Sequence, residues 1–226
     1  MTAADGVRPT QSPTIEAMRK AIFLDKDGTV VEDVPYNCDV RLIRLMPGVP
    51  EGLRRLQAAG YALIVVSNQA GVARGLFSTA ALGQVEMKLG ALLEGEGVRL
   101  DRFYYCPHHP EGRVAMYATV CGCRKPSPGL LIQAASDYAI DLGTSWMIGD
   151  ILHDVEAGRR AGCRTVLIDN GHETEWQLGA YRCPDAIAAD VAAAADIILA
   201  LESGAAIRKI EIEDMIERSH GASYER

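Results

Sequence analysis

The sequence predicts an α/β fold in which a parallel sheet is doubly wound, with helices packed against both of its faces. Short apolar runs typical of buried strands alternate along the chain with longer segments of helical pattern. This alternation indicates a parallel sheet, because each connection between parallel strands needs a crossover, usually a helix. Several apolar runs end directly at a polar or acidic residue, at the strand ends where such sheets bind ligands.

The predicted strands are the short apolar runs at 20–25, 61–66, 103–105, 146–149 and 165–168. Helix-starting residues precede three of the intervening segments: Pro47-Gly48, Ser78 and Pro128. The predicted helices lie at 49–59, 78–94, 128–138 and 153–161, with an Ala-rich helix at 186–194 that leads to Ile197-Ile198-Leu199. The stretch from Cys106 to Pro126 shows neither period and is expected to be irregular.

Length and composition favour one domain with a flanking segment at each end. The chain has 226 residues, of which 48% are hydrophobic, enough for one substantial core. We expect a flexible N-terminal arm at 1–19, a single domain at 20–200 and a charged C-terminal tail at 201–226. For the tail, an amphipathic helix and a solvated appendage both remain open.

Charge and hydropathy exclude several classes of protein. The formal net charge of −7 disfavours nucleic acid and anionic membrane surfaces as main partners. No apolar run approaches the ~18 residues of a membrane helix, and the first residues lack the apolar core of a signal peptide. We therefore expect a cytoplasmic protein that acts on a small molecule, as a monomer or, alternatively, a weak dimer. Its six cysteines are then better explained as thiols or metal ligands than as a disulfide framework.

Two aspartates follow the first apolar run. The segment 21–30 reads Ala-Ile-Phe-Leu-Asp-Lys-Asp-Gly-Thr-Val, which places Asp25 and Asp27 where the predicted strand ends. Two carboxylates this close repel each other unless a cation lies between them, so the segment predicts a metal-dependent site. On an extended chain Lys26 points away from both aspartates, and a solvent-facing lysine is at least as good an interpretation as a role in the site.

Polar residues follow two further predicted strands. Ser67 and Asn68 come directly after one of them, and Asp150 and Asp154 follow another in a Gly-Asp-X-X-X-Asp motif. Because parallel strands end at the same edge of a sheet, we expect Asp25 to meet these side chains in space. Taken alone, Ser67 and Asn68 would be read as an ordinary turn; the acidic partners favour a functional site.

A cluster of cysteine and histidine residues occupies the irregular stretch. Cys106-X-His108 and Cys121-X-Cys123 supply three thiolates and one imidazole, the donor set of a structural tetrahedral Zn²⁺ site. His109 is a competing imidazole, but His108 lies at the regular spacing. A long irregular loop is hard to hold in one shape, and closing it on a metal removes that freedom. The alternative is a reduced, metal-free loop.

These motifs together resemble those of the haloacid-dehalogenase-like (HAD-like) phosphohydrolases. The matching segments are Asp25-Lys-Asp-Gly-Thr, Ser67-Asn68, Arg124-Lys125 and Gly-Asp150-X-X-X-Asp154. The resemblance implies that Asp25 attacks phosphorus and forms an aspartyl-phosphate, and that Asp27 is the general acid and base. It also implies a catalytic Mg²⁺ held by the Asp25 and Asp150 carboxylates and the Asp27 backbone carbonyl.

The same resemblance assigns the remaining site residues. Ser67 would donate its hydroxyl to a phosphate oxygen, helped by the Asn68 amide, and Lys125 would place positive charge against the transferring phosphoryl group. Asp154 would orient Lys125 or a metal-bound water from behind. Arg124, fixed at the rim of the site by the zinc loop, would grip a substrate oxygen or phosphate.

Within that superfamily, the segments 67–75, 106–112 and 121–129 closely resemble the D-glycero-D-manno-heptose-1,7-bisphosphate 7-phosphatases, over residues 20–199. The resemblance implies a HAD-like Rossmannoid sheet without a large cap domain, and a sugar bisphosphate whose second phosphate is bound but not cut. Arg124 is the best candidate to hold that phosphate, and Arg74 is a weaker one.

Two alternative functions remain. Histidinol-phosphate phosphatases share the zinc loop, but their two Cys pairs tend to lie closer together than the twelve residues from His109 to Val120 here. The other alternative belongs to a different class, a zinc-stabilised binding module that has lost catalysis. The intact Asp25, Asp27 and Asp150 argue against it.

Overall fold

The computed structural model describes residues 18–177 and 179–204, and it contains one six-stranded parallel sheet in the order β3-β2-β1-β4-β5-β6. The strands are β1 (Ala21–Leu24), β2 (Ala62–Asn68), β3 (Arg102–Cys106), β4 (Trp146–Gly149), β5 (Arg164–Ile168) and β6 (Ala186–Ala188). The helices are α1 (Val49–Ala58), α2 (Thr79–Gly95), α3 (Gly129–Tyr138), α4 (Leu152–Ala161) and α5 (Val191–Glu202), with short 3₁₀ turns at Val40–Leu42 and Leu142–Thr144. The predicted doubly wound α/β fold is confirmed.

The sheet is buried on both faces, which explains why its central strands are uniformly apolar. Alternate β1 side chains face opposite sides: Ile22 and Leu24 pack in one core, and Ala21 and Phe23 pack in the other. The first core contains buried residues of α1, α2 and α5, and the second contains residues of α3 and α4. This three-layer packing fixes the strands whose carboxyl ends form the site.

The prediction of a helix over the whole Ala-rich stretch is wrong. Its first residues, Ala186–Ala188, form the edge strand β6, which pairs with Val166–Ile168 of β5. The helix starts later because Asp190 caps it: the Asp190 carboxylate accepts a hydrogen bond from the Ala193 N–H at 2.8 Å. Alanine favours a helix, but residues 186–188 pair with the edge of β5 as a strand, and the cap at Asp190 starts the helix after them.

Among the described residues no segment forms a cap domain, and the irregular connection after β3 (residues 107–128) agrees with the prediction. Nor does this part of the chain contain a helix long and apolar enough to cross a membrane. Most of the predicted arm and nearly all of the predicted tail lie outside the described residues. Arg19 is within them and forms a parallel bridge with Ile140.

The packing of α1 against α5 gives a stability test. A Cβ on Gly52 of α1 would lie 2.4 Å from the Val191 backbone carbonyl oxygen, a contact that requires the helices to move apart. We expect Gly52→Ala to lower the free energy of unfolding by about 1–3 kcal/mol, measured by urea denaturation.

Gly83→Ala is the matched control, because Gly83 lies in α2 and a methyl group added there would have no neighbour within 4 Å. The control should raise the free energy of unfolding by up to about 1 kcal/mol through helix propensity alone. Equal shifts in the two variants would contradict the close helix packing.

Candidate active site

The predicted site residues meet at the carboxyl edge of the sheet. The strands β2, β1 and β4 are neighbours, so Ser67 of β2, Asp25 after β1 and Asp150 after β4 converge. A hydrogen bond of 2.9 Å from the Asp25 N–H to the Ile148 carbonyl holds two of these ends together. A cavity of about 280 Å³ opens there, lined by Asp25, Asp27, Asp33, Ser67, Asn68, Arg124, Lys125, Asp150, Ile151, His153 and His172.

Three buried carboxylates cluster at the cavity, of which Asp25 and Asp150 line it and Asp154 lies beside them. Oxygens of Asp25, Asp150 and Asp154 lie within 4.8 Å of one another. Burial, and then the charge of Asp25, raise the pKa of Asp150 to about 6. Burial also raises the pKa of Asp154, and the nearby Asp25 and Asp150 carboxylates add to that effect while Lys125 opposes it. Burial therefore disfavours the charged forms of Asp150 and Asp154, and the nearby carboxylates add to this.

One lysine lies between two of these acids. The Lys125 Nζ lies 2.5 Å from Asp25 Oδ1 and 2.6 Å from Asp154 Oδ1, and its side chain is only 2% exposed. Burial alone would lower the pKa of Lys125, but the adjacent Asp154 and Asp25 charges more than offset it and the pKa is raised. Lys125 therefore remains a cation beside the Asp25 carboxylate.

Asn68 fixes the backbone of that lysine. Its amide nitrogen donates to the Lys125 carbonyl, and its amide oxygen accepts from the Lys125 N–H, both at 3.0 Å. The observed contacts of Asn68 therefore position Lys125, and direct donation from Asn68 to a phosphate stays a prediction. Asp154 is held in the same way, because its Oδ2 accepts from the Ile151 N–H at 3.3 Å.

Asp154 is already bound by Lys125 and by the backbone at the N-terminus of α4. Of the three clustered acids, Asp25 and Asp150 therefore remain to bind a cation. Asp25 and Asp150 present hard oxygen donors into the cavity, the ligand type that Mg²⁺ prefers. A cation bound between these two carboxylates would neutralise charge that is otherwise buried. These residues therefore fit the predicted magnesium site.

Lys26 is placed differently from the solvent-facing interpretation. It is 2% exposed, and its Nζ forms an ion pair with the Asp27 carboxylate. The turn after β1 bends the chain: the Lys26 carbonyl accepts from both the Val30 and Val31 N–H groups. The extended-chain argument failed because the backbone stops being extended at this residue.

Sequence reasoning also missed the loop after β5. His172 Nδ1 lies 2.7 Å from Asp150 Oδ2, and Asn170 donates to the Gly28 carbonyl at 2.7 Å. Gly28 has φ +79, and a Cβ there would lie 2.1 Å from Asp150 Oδ2, so glycine is required for this approach. The histidine has no regular spacing to the acids in sequence, and only the fold brings it to the cavity.

The four predicted zinc ligands converge beside the cavity. Cys106 Sγ lies 3.2 Å from Cys123 Sγ and 3.5 Å from Cys121 Sγ. His108 Nδ1 lies 3.4 Å from Cys123 Sγ, while His109 is not part of the group. These separations are near the ~3.8 Å edge of a tetrahedron with ~2.3 Å metal–sulfur bonds, so the four donors fit a Zn²⁺ ion.

Positively charged residues lie at the rim of the cavity, and one of them directly follows the cysteine and histidine cluster in the sequence. Arg124 lines the cavity, and its buried Nη1 has no hydrogen-bond partner in the described part of the chain. Burial, then the charges of Arg124 and Arg74, lower the pKa of His109, which places all three in one electropositive region. An anionic group of a ligand would satisfy this guanidinium.

Fold and site together define a class: a doubly wound α/β protein whose cavity combines an aspartate cluster able to hold a metal ion with a buried lysine. The sequence model of the HAD-hydrolase-like family matches residues 122–194. The D-glycero-beta-D-manno-heptose-1,7-bisphosphate 7-phosphatase of Pasteurella multocida is 44% identical over 155 residues, 68% of this chain and 84% of the relative. The Escherichia coli K12 protein of the same name is 42% identical over 152 residues, 67% of this chain and 80% of the relative.

A solved structure of the same class also resembles this chain. The D,D-heptose 1,7-bisphosphate phosphatase from B. bronchiseptica, complexed with magnesium and phosphate, has a TM-score of 0.69 and 33% identity over 80% of this chain and 98% of that one. The chain belongs to the HAD-like phosphatases, in the family of these heptose-bisphosphate phosphatases. It is a phosphoric monoester hydrolase.

The buried lysine gives a test of the site. Lys125→Met should lower the free energy of unfolding by about 3 kcal/mol, because Asp154 is fully buried and would lose its cation. The same substitution should abolish detectable phosphate release. Urea denaturation and a phosphate-release assay measure the two effects.

Lys88→Met, the same chemical change in α2, serves as the control. It should change stability by no more than about 0.5 kcal/mol and leave turnover intact. A Lys125→Met protein as stable as the parent would contradict the observed charge balance.

Proposed function

We propose that the enzyme removes the 7-phosphate of D-glycero-D-manno-heptose 1,7-bisphosphate, in the cytoplasm, as a step in making heptose for a bacterial surface polysaccharide. The observation that carries the proposal is the pairing of two anion sites in one cavity: the Asp25–Lys125 centre and the Arg124 guanidinium, whose buried Nη1 has no hydrogen-bond partner among the described residues. A substrate with two phosphates matches this pairing, and relatives that are 42% and 44% identical to this chain are named for such a substrate.

The nucleophile is the Asp25 carboxylate. One oxygen is held by Lys125 and the other is available to attack the phosphorus of the 7-phosphate, which gives an aspartyl-phosphate and releases the sugar alkoxide. The Asp25 and Asp150 carboxylates and the Asp27 backbone carbonyl would hold Mg²⁺, which when bound would neutralise phosphate charge. Ser67 donates its hydroxyl to a phosphate oxygen.

Asp27 handles the proton in both half-reactions. Its acid form protonates the leaving alkoxide, and its carboxylate then takes a proton from the water that hydrolyses the aspartyl-phosphate. Burial raises the pKa of Asp27, and Asp25 adds to this, while Lys26 opposes it. A raised pKa suits a carboxyl group that must exchange its proton near neutral pH.

Substrate comparison tests the proposal. The kcat/KM for the heptose bisphosphate, assayed with both C1 anomers, should exceed that for histidinol phosphate or fructose 1,6-bisphosphate by about 100-fold or more. Asp25→Asn is the background control and should release no phosphate from any of them. A preference for histidinol phosphate would overturn the substrate, and an active Asp25→Asn protein would overturn the nucleophile.

We also infer that the Cys106, His108, Cys121 and Cys123 cluster binds a structural Zn²⁺. One tetrahedral ion would satisfy all four donors and leave no open position for catalysis. The ion would hold the connection 107–128 in one shape. Because Cys123 directly precedes Arg124 and Lys125, the same ion would fix both cations at the site.

Cys121→Ala should lower zinc content to well below one ion per chain and reduce thermal stability, because three donors hold the ion less tightly. Elemental analysis and thermal unfolding measure these effects. Cys183→Ala, outside the cluster, is the matched control and should retain the parent zinc content. A parent protein that is stable and free of zinc would rule the ion out.

A further inference from the structure

Two buried side chains grip the carboxylate of Asp27. Lys26 Nζ pairs with Asp27 Oδ1, and Gln69 Nε2 donates to Asp27 Oδ2 at 3.2 Å. Lys26 is 2% exposed and Gln69 is 5% exposed. Each carboxylate oxygen thus has its own donor, and the carboxylate plane is fixed in the cavity.

Gln69 also contacts the phosphate-binding hydroxyl. Its Nε2 lies 2.8 Å from Ser67 Oγ. A primary amide nitrogen has two hydrogens, so it can donate to Asp27 and to Ser67 together. The reverse orientation of the amide would face its oxygen toward the Asp27 carboxylate, which is repulsive, so the neighbours determine the orientation.

The direction of the second hydrogen bond determines where the serine proton points. A hydroxyl has a single hydrogen. Since Ser67 Oγ accepts from Gln69, that hydrogen remains available to donate elsewhere, and Ser67 lines the cavity. One glutamine therefore aligns a donor for the phosphate and the acid for the leaving group.

We propose that Lys26 and Gln69 are positioning residues that hold Asp27 in line with the departing oxygen and direct the Ser67 hydroxyl to the phosphate. The inference rests on the aspartyl-phosphate chemistry proposed above. In that step an Asp25 oxygen bonds to phosphorus, the bond from phosphorus to the leaving oxygen breaks, and the Asp27 proton moves to that oxygen. Misplacing Asp27 removes only the proton transfer.

The side chain of Gln69 can be changed separately from its backbone. The Gln69 N–H donates to the Cys106 carbonyl at 2.8 Å, and its own carbonyl accepts from Val72 at 3.2 Å. Both bonds are made by backbone atoms, so substitution of Gln69 by leucine or glutamate keeps their donor and acceptor. A loss of rate in such a variant therefore reports the amide contacts.

Leaving-group dependence separates a positioning role from a general structural one. A nitrophenyl phosphate releases an oxyanion that is stable without a proton, whereas an alkyl phosphate needs the proton from Asp27. In Gln69→Leu, the single-turnover rate of Asp25 phosphorylation should fall at least about tenfold more for the alkyl ester than for the aryl ester. Rapid quenching measures both rates, and Gln69→Glu, which replaces a donor with an acceptor, should show the same pattern.

Gln57→Leu is the matched control for the chemical change. Gln57 lies in α1, its side-chain oxygen accepts from the Arg99 N–H, and it lines a different cavity. Both of its rates should equal those of the parent.

Lys26 is tested by removal and rescue. Lys26→Met should reproduce the selective loss for the alkyl ester, and Lys26→Arg should restore most of it, because a guanidinium can still donate to Asp27. Equal losses for aryl and alkyl esters, or no loss at all, would overturn the positioning role.

The experiments distinguish a failure of the positioning role from a failure of the proposed substrate. A parent that hydrolyses both simple esters but not the heptose bisphosphate would refute the proposed substrate and leave the positioning role to be judged by the variants. A parent with no phosphorylated Asp25 on either ester would refute the shared chemistry, and the positioning role with it.

Discussion

The charge balance at the carboxyl edge of the sheet is the constraint on which the rest of the structure depends. Three acids follow β1 and β4 and are withdrawn from water, and Lys125 alone among the described cations bridges two of them. Such a cluster is costly unless its charges are matched. The surrounding loops hold the Lys125 ammonium group between these acids.

Lys125 lies in the irregular connection after β3, which places its side chain at the acids. Asn68 at the end of β2 binds both backbone polar groups of Lys125, and the Gly129 N–H closes the loop by donating to the Gly122 carbonyl at 2.9 Å. A Cβ on Gly129 would lie 2.3 Å from that carbonyl oxygen, so only glycine permits this closure. His108, Cys121 and Cys123 lie in the same loop, and Cys123 is two residues before Lys125, which would couple the proposed zinc site to the position of the buried lysine.

The sequence predicts the structure best where the informative pattern lies in neighbouring residues of the chain. The strands are predictable because buried parallel strands are continuous apolar runs, and the acids after β1 and β4 mark one edge because parallel strands share it. The four Cys and His donors are predictable from spacing alone. The prediction for Ala186–Ala188 is wrong, because pairing with β5 outweighs the helix preference of alanine.

By itself, the sequence determined the fold class, the acids and the soft metal donors, since hydrophobic period and donor type are properties of neighbouring residues. Only the tertiary structure decided that Lys26 is buried against Asp27, that Gln69 links Asp27 to Ser67, and that His172 reaches Asp150. Those contacts join a bent turn, a strand end and a distant loop. Their geometry follows from the packing of the sheet, which no spacing along the chain encodes.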